Sequence, residues 1–208
     1  MIRYAFDRFL QPSCVLLLAL VMTFAFSGLT SAPAVMADDA SASTSAPTAE
    51  LASAAELSPS QQAFELLKGL SGTWIGKGAY SAGGDAFPAK HEYRVTAAGH
   101  TVMEVQNVGT DHEMVSMFYL EDGHLVLNHY CAGGNQPKMA LDESLFAAEG
   151  TLNFDFLGGT NLDPKTDGHI HGGRFHLADD GTLKATWLSW SEGQPVGELV
   201  FTVQREEG

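Results

Sequence analysis

The side chains of this sequence best suited to hold a metal or move a proton are its eight histidines (His91, His100, His112, His124, His129, His169, His171 and His176) and Cys131. A strand repeats every two residues, so an extended His124–Cys131 segment places Leu125, Leu127, His129 and Cys131 on one face. His169 and His171 share a face in the same way if that segment is extended. Three imidazoles and a thiolate brought together match a tetrahedral N/S site for zinc or copper, with His129, Cys131, His169 and His171 as candidate ligands. The competing reading makes His129 and Cys131 buried wall residues. It leaves His169-x-His171 in the polar loop after Asn161-Leu162-Asp163-Pro164-Lys165-Thr166-Asp167-Gly168.

Glu104 sits in Val102-Met103-Glu104-Val105, where a carboxylate among apolar neighbours must be paired or neutralised. Arg94, in His91-Glu92-Tyr93-Arg94-Val95, is the expected partner from the preceding strand, either orienting a polar ligand group or forming a surface cross-strand pair. Trp187 and Trp190 alternate faces, so at most one of them lines a pocket directly. Met103, Met114, Met117 and Phe118 offer adaptable apolar lining. Gly133-Gly134-Asn135-Gln136 reads as a turn at a barrel mouth, where the amides of Asn135 and Gln136 can meet a ligand's polar end. With Trp74, Arg94, Glu104, His129, Cys131 and Trp187, these two complete the candidate ligand-binding set.

The signatures of several enzyme classes are missing. There is no Gly-x-Ser-x-Gly elbow and no Gly-x-x-x-x-Gly-Lys phosphate cradle, and His112-Glu113 lacks a second histidine at zinc-protease spacing. Cys131 near His129 suggests a thiol nucleophile, but alternate strand positions point side by side and no orienting third residue is identifiable. Catalysis is disfavoured.

The elements that must position these groups are strands. Beyond Gly72, runs of β-branched, aromatic and alternating residues are broken by glycine and aspartate turns. The expected strands are 73–80, 87–96, 101–108, 113–120, 124–131, 137–142, 151–157, 172–178, 182–191 and 196–204. Glu121-Asp122-Gly123 and Asp179-Asp180-Gly181 read as short hairpin turns, which implies sequential antiparallel neighbours. No helical pattern of crossover length separates the strands. The expected fold is therefore all-β, a ten-stranded antiparallel up-and-down barrel, because closure removes exposed edges. A barrel of this size has room for side chains and one small ligand, or is filled by side chains alone. Before it, Ser58-Pro59-Ser60-Gln61 combines a capping serine, a proline at the first helical position and a glutamine three residues after the cap. Phe64, Leu67 and Leu70 then recur at helical spacing, predicting a short amphipathic helix over the barrel.

The N-terminal part of the chain reads differently. Arg3 and Arg8 precede an apolar run from Val15 to Phe26, and Val35-Met36-Ala37 offers small residues for a signal peptidase. Residues 1–37 are expected to be a signal peptide cleaved after Ala37, the alternative being an uncleaved anchor. Residues 38–57, nearly all Ala, Ser, Thr, Asp and Glu, form an expected disordered linker, and 58–208 the barrel domain. Export to the periplasm or outside the cell follows, with no stable membrane insertion after cleavage. Of the chain's 208 residues, 11 are Lys or Arg and 25 Asp or Glu, a net charge of −14. Without Arg3, Asp7 and Arg8 the mature chain keeps 9 basic and 24 acidic side chains, a net of −15. Phosphate backbones repel such a surface, so nucleic acid is excluded as a partner. Cys14 leaves with the leader, so Cys131 has no intrachain disulfide partner.

Gly72-Thr73-Trp74-Ile75-Gly76-Lys77-Gly78 resembles the first strand of lipocalin-like calycin barrels, whose Gly-x-Trp signature places tryptophan across the closed end. The longer Gly-x-Trp-x-Gly-x-Gly form, and Gly193-Gln194-Pro195-Val196 with the strand after it, are more distantly similar to nitrobindin, a haem-binding barrel. That resemblance implies a haem-ligating histidine a few residues after Gln-Pro, where this sequence has Gly197 and Glu198. Haem is therefore disfavoured. His129-Tyr130-Cys131-Ala132-Gly133-Gly134-Asn135-Gln136-Pro137-Lys138-Met139 and His169-Ile170-His171 resemble a group of exported lipocalin-like proteins with no assigned activity. The leading expectation is an exported barrel that binds a small, largely apolar molecule in its interior. The alternatives are a metal-binding protein or metal-dependent enzyme on the His/Cys cluster, and haem or nitric-oxide binding.

Overall fold

The computed structural model describes residues 56–207. The expected signal peptide, and the expected linker up to residue 55, lie outside them. Helix α1 (Pro59–Gly69) starts where the capping box predicts: the Ser58 side chain accepts from the Gln61 N–H, and the Gln61 side chain accepts from the Ser58 N–H. Its Ala63, Phe64 and Leu67 are buried. No helix among the described residues is long and apolar enough to cross a membrane.

Ten strands follow: β1 (Gly72–Tyr80), β2 (Phe87–Thr96), β3 (Thr101–Gln106), β4 (Met114–Glu121), β5 (His124–Tyr130), β6 (Gln136–Leu141), β7 (Leu152–Thr160), β8 (His169–Leu177), β9 (Leu183–Ser191) and β10 (Gln194–Arg205). Each pairs antiparallel with its chain neighbour, and β10 pairs back onto β1, closing the barrel. This is the expected ten-stranded antiparallel barrel with a short helix. Closure depends on absent side chains: a Cβ on Gly76 would collide with the Thr202 carbonyl of β10, and one on Gly78 with the Phe87 ring. The β4–β5 hairpin turns through Asp122 and Gly123, both at positive φ (50° and 87°), the two-residue conformation that matches strand twist.

Two elements differ from expectation. A second helix, α2 (Glu143–Glu149), lies between β6 and β7; Asp142 caps it by accepting from the Ser144 and Leu145 N–H groups, and Gly150 ends it in the left-handed region. It is too short for a helical period to show in the sequence. Strand β8 begins at His169 rather than Gly172, because its two glycines lie inside the sheet, with a bulge between Ile170 and Gly172. His169 and His171 are thus strand residues, not loop residues.

The two ends of the barrel differ. At the helix end, α1 packs against β2, β4, β5 and α2. Trp74 donates its indole N–H to the Leu70 carbonyl at 2.7 Å, and Arg205 binds the Ser71 and Gly69 carbonyls while its guanidinium lies 4.7 Å over the Trp74 ring. Inside, Phe118, Phe154 and Phe175 meet edge to face at 5.6–5.9 Å, and Trp187 adds to the cluster 5.3 Å from Phe175. This half of the barrel is filled by side chains. Segments 81–86, 107–113, 131–135, 161–168 and 192–193 join strands at the opposite, loop end.

Candidate functional site

A polar layer lies inside the barrel towards the loop end, built by strand alternation. On β2 the buried positions are Ala89, His91 and Tyr93; on β3, Val102, Glu104 and Gln106; on β4, Ser116 and Phe118; His129 is buried on β5. Register aligns them, since His91 pairs with Gln106, Tyr93 with Glu104, Glu104 with Ser116, and Ser116 with His129.

Glu104 is fully buried and is the hub. Its Oε1 accepts from the Tyr93 hydroxyl at 2.6 Å and lies 3.3 Å from His91 Nδ1; its Oε2 accepts from Gln106 Nε2 at 3.0 Å. Burial alone raises its pKa, but hydrogen bonds and charge from His91, and hydrogen bonds from Tyr93 and Gln106, together hold it below the ordinary carboxylate value. Glu104 is therefore ionised at neutral pH. The Tyr93 hydroxyl is pushed the other way, well above its ordinary value, by burial and then by the Glu104 charge and hydrogen bond. An ionised carboxylate only accepts, so His91 Nδ1 carries the hydrogen facing it.

The second unit is Ser116 with His129, Oγ to Nδ1 at 3.0 Å. Burial lowers the His129 pKa to about 4, against a smaller opposing influence of Glu104, so the ring is neutral at pH 7. When the Ser116 hydroxyl donates to Nδ1 the ring hydrogen lies on Nε2, and when Nδ1 donates to the hydroxyl Nε2 is an acceptor. The ring packs 4.8 Å from that of Trp187 on β9. Of the five buried side-chain atoms without a protein hydrogen-bond partner among the described residues, four (His91 Nε2, Gln106 Oε1, His129 Nε2 and Trp187 Nε1) are in this layer, and the fifth is Asn135 Oδ1 in the turn before β6. One wall thus presents acceptors (Gln106 Oε1 and, for a neutral ring, His91 Nε2). The other presents the Trp187 N–H donor and His129 Nε2.

Arg94 does not join this layer. It is exposed on the outer side of β2, its guanidinium 3.9 Å from Met103 Sδ, and the expected Arg94–Glu104 pair is replaced by the Tyr93 and His91 contacts. The reason is register: Glu104 lies opposite Tyr93, and one residue of shift on a strand reverses the face. Met103 alternates with Glu104 and faces away from it.

The expected four-residue metal cluster is not assembled. His129 points at Ser116 and Trp187, and Cys131 lies in the turn after β5, its Sγ accepting from the Gly133 N–H at 3.4 Å. His169 Nε2 and His171 Nδ1 bond each other at 2.9 Å, and two strands separate β5 from β8. Among the described residues no three His, Cys, Asp or Glu side chains are grouped to hold a metal ion. His169 Nδ1 donates to the Asp167 carbonyl, so in the neutral ring Nε2 accepts from His171. His171 is stacked between Phe156 and Trp190, with ring centroids at 4.5 and 3.9 Å, which gives Trp190 a partner that its sequence position did not reveal. Burial, and then His169, lower the His171 pKa.

Asn135 and Gln136 organise the loop end. Asn135, buried, donates to the Gly168 carbonyl at 2.8 Å, and Gln136 Oε1 accepts from Thr160 and Asn161 at 2.9 Å each. Trp74 closes the helix end and Trp187 reaches the polar layer. Tyr93, Gln106 and Ser116 carry the layer without having been singled out. Their signal is the alternation Ala89-x-His91-x-Tyr93 and Glu104-x-Gln106, buried-strand parity occupied by polar groups. Surface clefts of about 840 Å³ beside Ile75 and Lys90, and about 510 Å³ beside Tyr130 and Leu157, include none of the polar side chains of this layer, though Ala89 lines the first.

No protein-family model matches the chain, and no curated protein matches it. Among solved structures it is similar to a protein of unknown function from the DUF3598 family of Nostoc punctiforme, with 14% identity and a TM-score of 0.46. The similarity covers 67% of this chain and 49% of that one, so the chain spans about half the length of that structure.

Proposed function

We propose that this chain is an exported binding protein that holds one small molecule inside the loop-end half of the barrel, by a polar group seated in the His91–Trp187 layer. The supporting observation is the set of four buried polar atoms in this layer that lack protein partners. Leaving a buried donor or acceptor unmatched costs about 1–3 kcal/mol each, so a layer holding several is built around something that bonds them. Phe118, Phe154, Phe175 and Trp187 fill the helix-end half, so the ligand is short, with an apolar remainder directed to the loop end. A polar anchor changes the expected ligand from largely apolar to amphipathic.

The test is native mass spectrometry of protein exported by its own leader and purified without detergent. A bound organic mass that reduces to less than a tenth on Gln106→Leu or Trp187→Phe supports the reading. A bare chain mass, together with no thermal shift from a library of amphipathic small molecules, overturns it. N-terminal sequencing of the same material is expected to begin at Asp38.

A further inference from the structure

We propose that the group seated in the polar layer is a cationic amine, bound by Glu104, Gln106 and His91; this rests on the ligand-binding reading above. Gln106 donates its Nε2 to Glu104 Oε2, and the reversed amide would set its carbonyl against the carboxylate, so Oε1 is fixed as the free acceptor. His91 is turned the same way. Its Nδ1 hydrogen faces Glu104, and Nε2, without a protein partner, is a second free acceptor when the ring carries that one hydrogen. His91 and Gln106 are direct cross-strand partners, side by side on the inner face of β2 and β3.

Charge narrows the choice further. Glu104 is the one fully buried carboxylate among the described residues, and no Lys or Arg is buried with it. The basic group in contact with Glu104 is His91, whose ring when neutral leaves the buried carboxylate without an opposite charge, and the arginine that sequence proximity offered, Arg94, is outside. An alkylammonium supplies both the missing charge and several N–H donors. A carboxylate ligand would add a second negative charge beside Glu104 and offer no donor. An alcohol offers one donor and no charge. The loop end carries the same sign: Asp85, Asp111, Glu113, Asp163, Asp167 and Glu192 lie in its connecting segments against a single Lys165. Such a field raises the local concentration of cations and repels anions.

The experiment titrates the full exported chain with decylamine hydrochloride, sodium decanoate and 1-decanol, each below its aggregation threshold, by native mass spectrometry and calorimetry. Decylamine is expected to bind at least about tenfold more tightly than either analogue, the order of one charge-assisted hydrogen bond. Decanoate or decanol binding as tightly overturns the amine while leaving the ligand-binding reading intact; decanoate preference identifies a charged His91 presenting a donor instead. If none of the three binds, the amine inference falls, and the mass of co-purified material decides the ligand reading separately. Glu104→Gln is expected to abolish the preference for decylamine over decanol. Gln106→Met, which keeps the buried charge, is expected to weaken decylamine by about tenfold and serves if the Glu104 variant does not fold. Unchanged decylamine binding by a folded Glu104→Gln protein overturns the proposal.

Discussion

His129 and Trp187 touch across the interior, ring centroids 4.8 Å apart, although three strands separate β5 from β9 in the barrel. This contact links the Ser116–His129 pair to the aromatic cluster. It also helps bury His129, whose lowered pKa makes the stability of the fold depend on pH.

Folding takes the His129 pKa from 6.5 down to about 4. Between those values the unfolded chain binds a proton that the folded one does not, so this contribution is fully present above pH 6.5 and is lost as pH falls towards 4. The loss is about 3 kcal/mol over the window, taking about 1.4 kcal/mol per unit. Denaturant melts at pH 7.0 and 4.5 are expected to show most of this slope in the wild type and little of it in His129→Phe. Equal slopes for the two proteins would remove His129 from the account.

Glu104 acts in a lower window. Its pKa is depressed on folding, so its contribution is present above the ordinary carboxylate value and is lost as pH falls below it. Glu104→Ala leaves the Tyr93 hydroxyl, the Gln106 amide and His91 Nδ1 without their acceptor, and is expected to cost about 3–5 kcal/mol at pH 7. Tyr93→Phe is expected to cost about 1–2 kcal/mol alone and much less in the Glu104→Ala background. Additive costs in a double-mutant cycle would show that the 2.6 Å contact carries no coupling.

Ser60 ties the cap to the barrel. It is fully buried, accepting from the Leu125 N–H at 2.8 Å and donating to Glu143 on α2 at 2.6 Å. Ser60→Ala strands a buried backbone donor of β5, and urea unfolding is expected to register a loss of about 1–3 kcal/mol. Ser58→Ala, which removes an exposed helix cap, is expected to cost about 1 kcal/mol. A Ser60 variant no weaker than the Ser58 variant would mean that the α1–β5 contact is dispensable.

Alternation made the strands legible: all ten expected segments overlap observed ones, since a half-buried strand writes its inner face into every second residue. The inner polar layer was legible only in part. Glu104 and His129 were visible as polar groups among apolar neighbours, but the partner of Glu104 depended on register, which alternation within one strand does not specify. Choosing Arg94 over Tyr93 is a one-residue difference that swaps the two faces. The His129–Trp187 contact was beyond reach for another reason: the two residues are 58 positions apart and meet across the barrel, not along a ladder. Helix α2 was marked only by its caps, Asp142 and Gly150, because seven residues are too few to show a helical period.

Closure at the helix end rests on Arg205. Its guanidinium reaches the carbonyls of Ser71 and Gly69, at the end of α1 and the start of β1, and covers the ring of Trp74, its register partner on β1. One side chain thus joins the last strand, the first strand and the cap. Arg205→Ala is expected to lower stability by about 2 kcal/mol, summing modest hydrogen-bond and cation–π contributions. Arg205→Lys keeps the charge but not the planar fork that serves two carbonyls at once, so it is expected to recover less than half of that loss. In Trp74→Leu the cation loses its ring while the carbonyl contacts remain, and Arg205→Ala in that background is expected to cost about 1 kcal/mol. Full rescue by lysine in equilibrium denaturation would show that charge alone, and not the two-carbonyl geometry, closes this end.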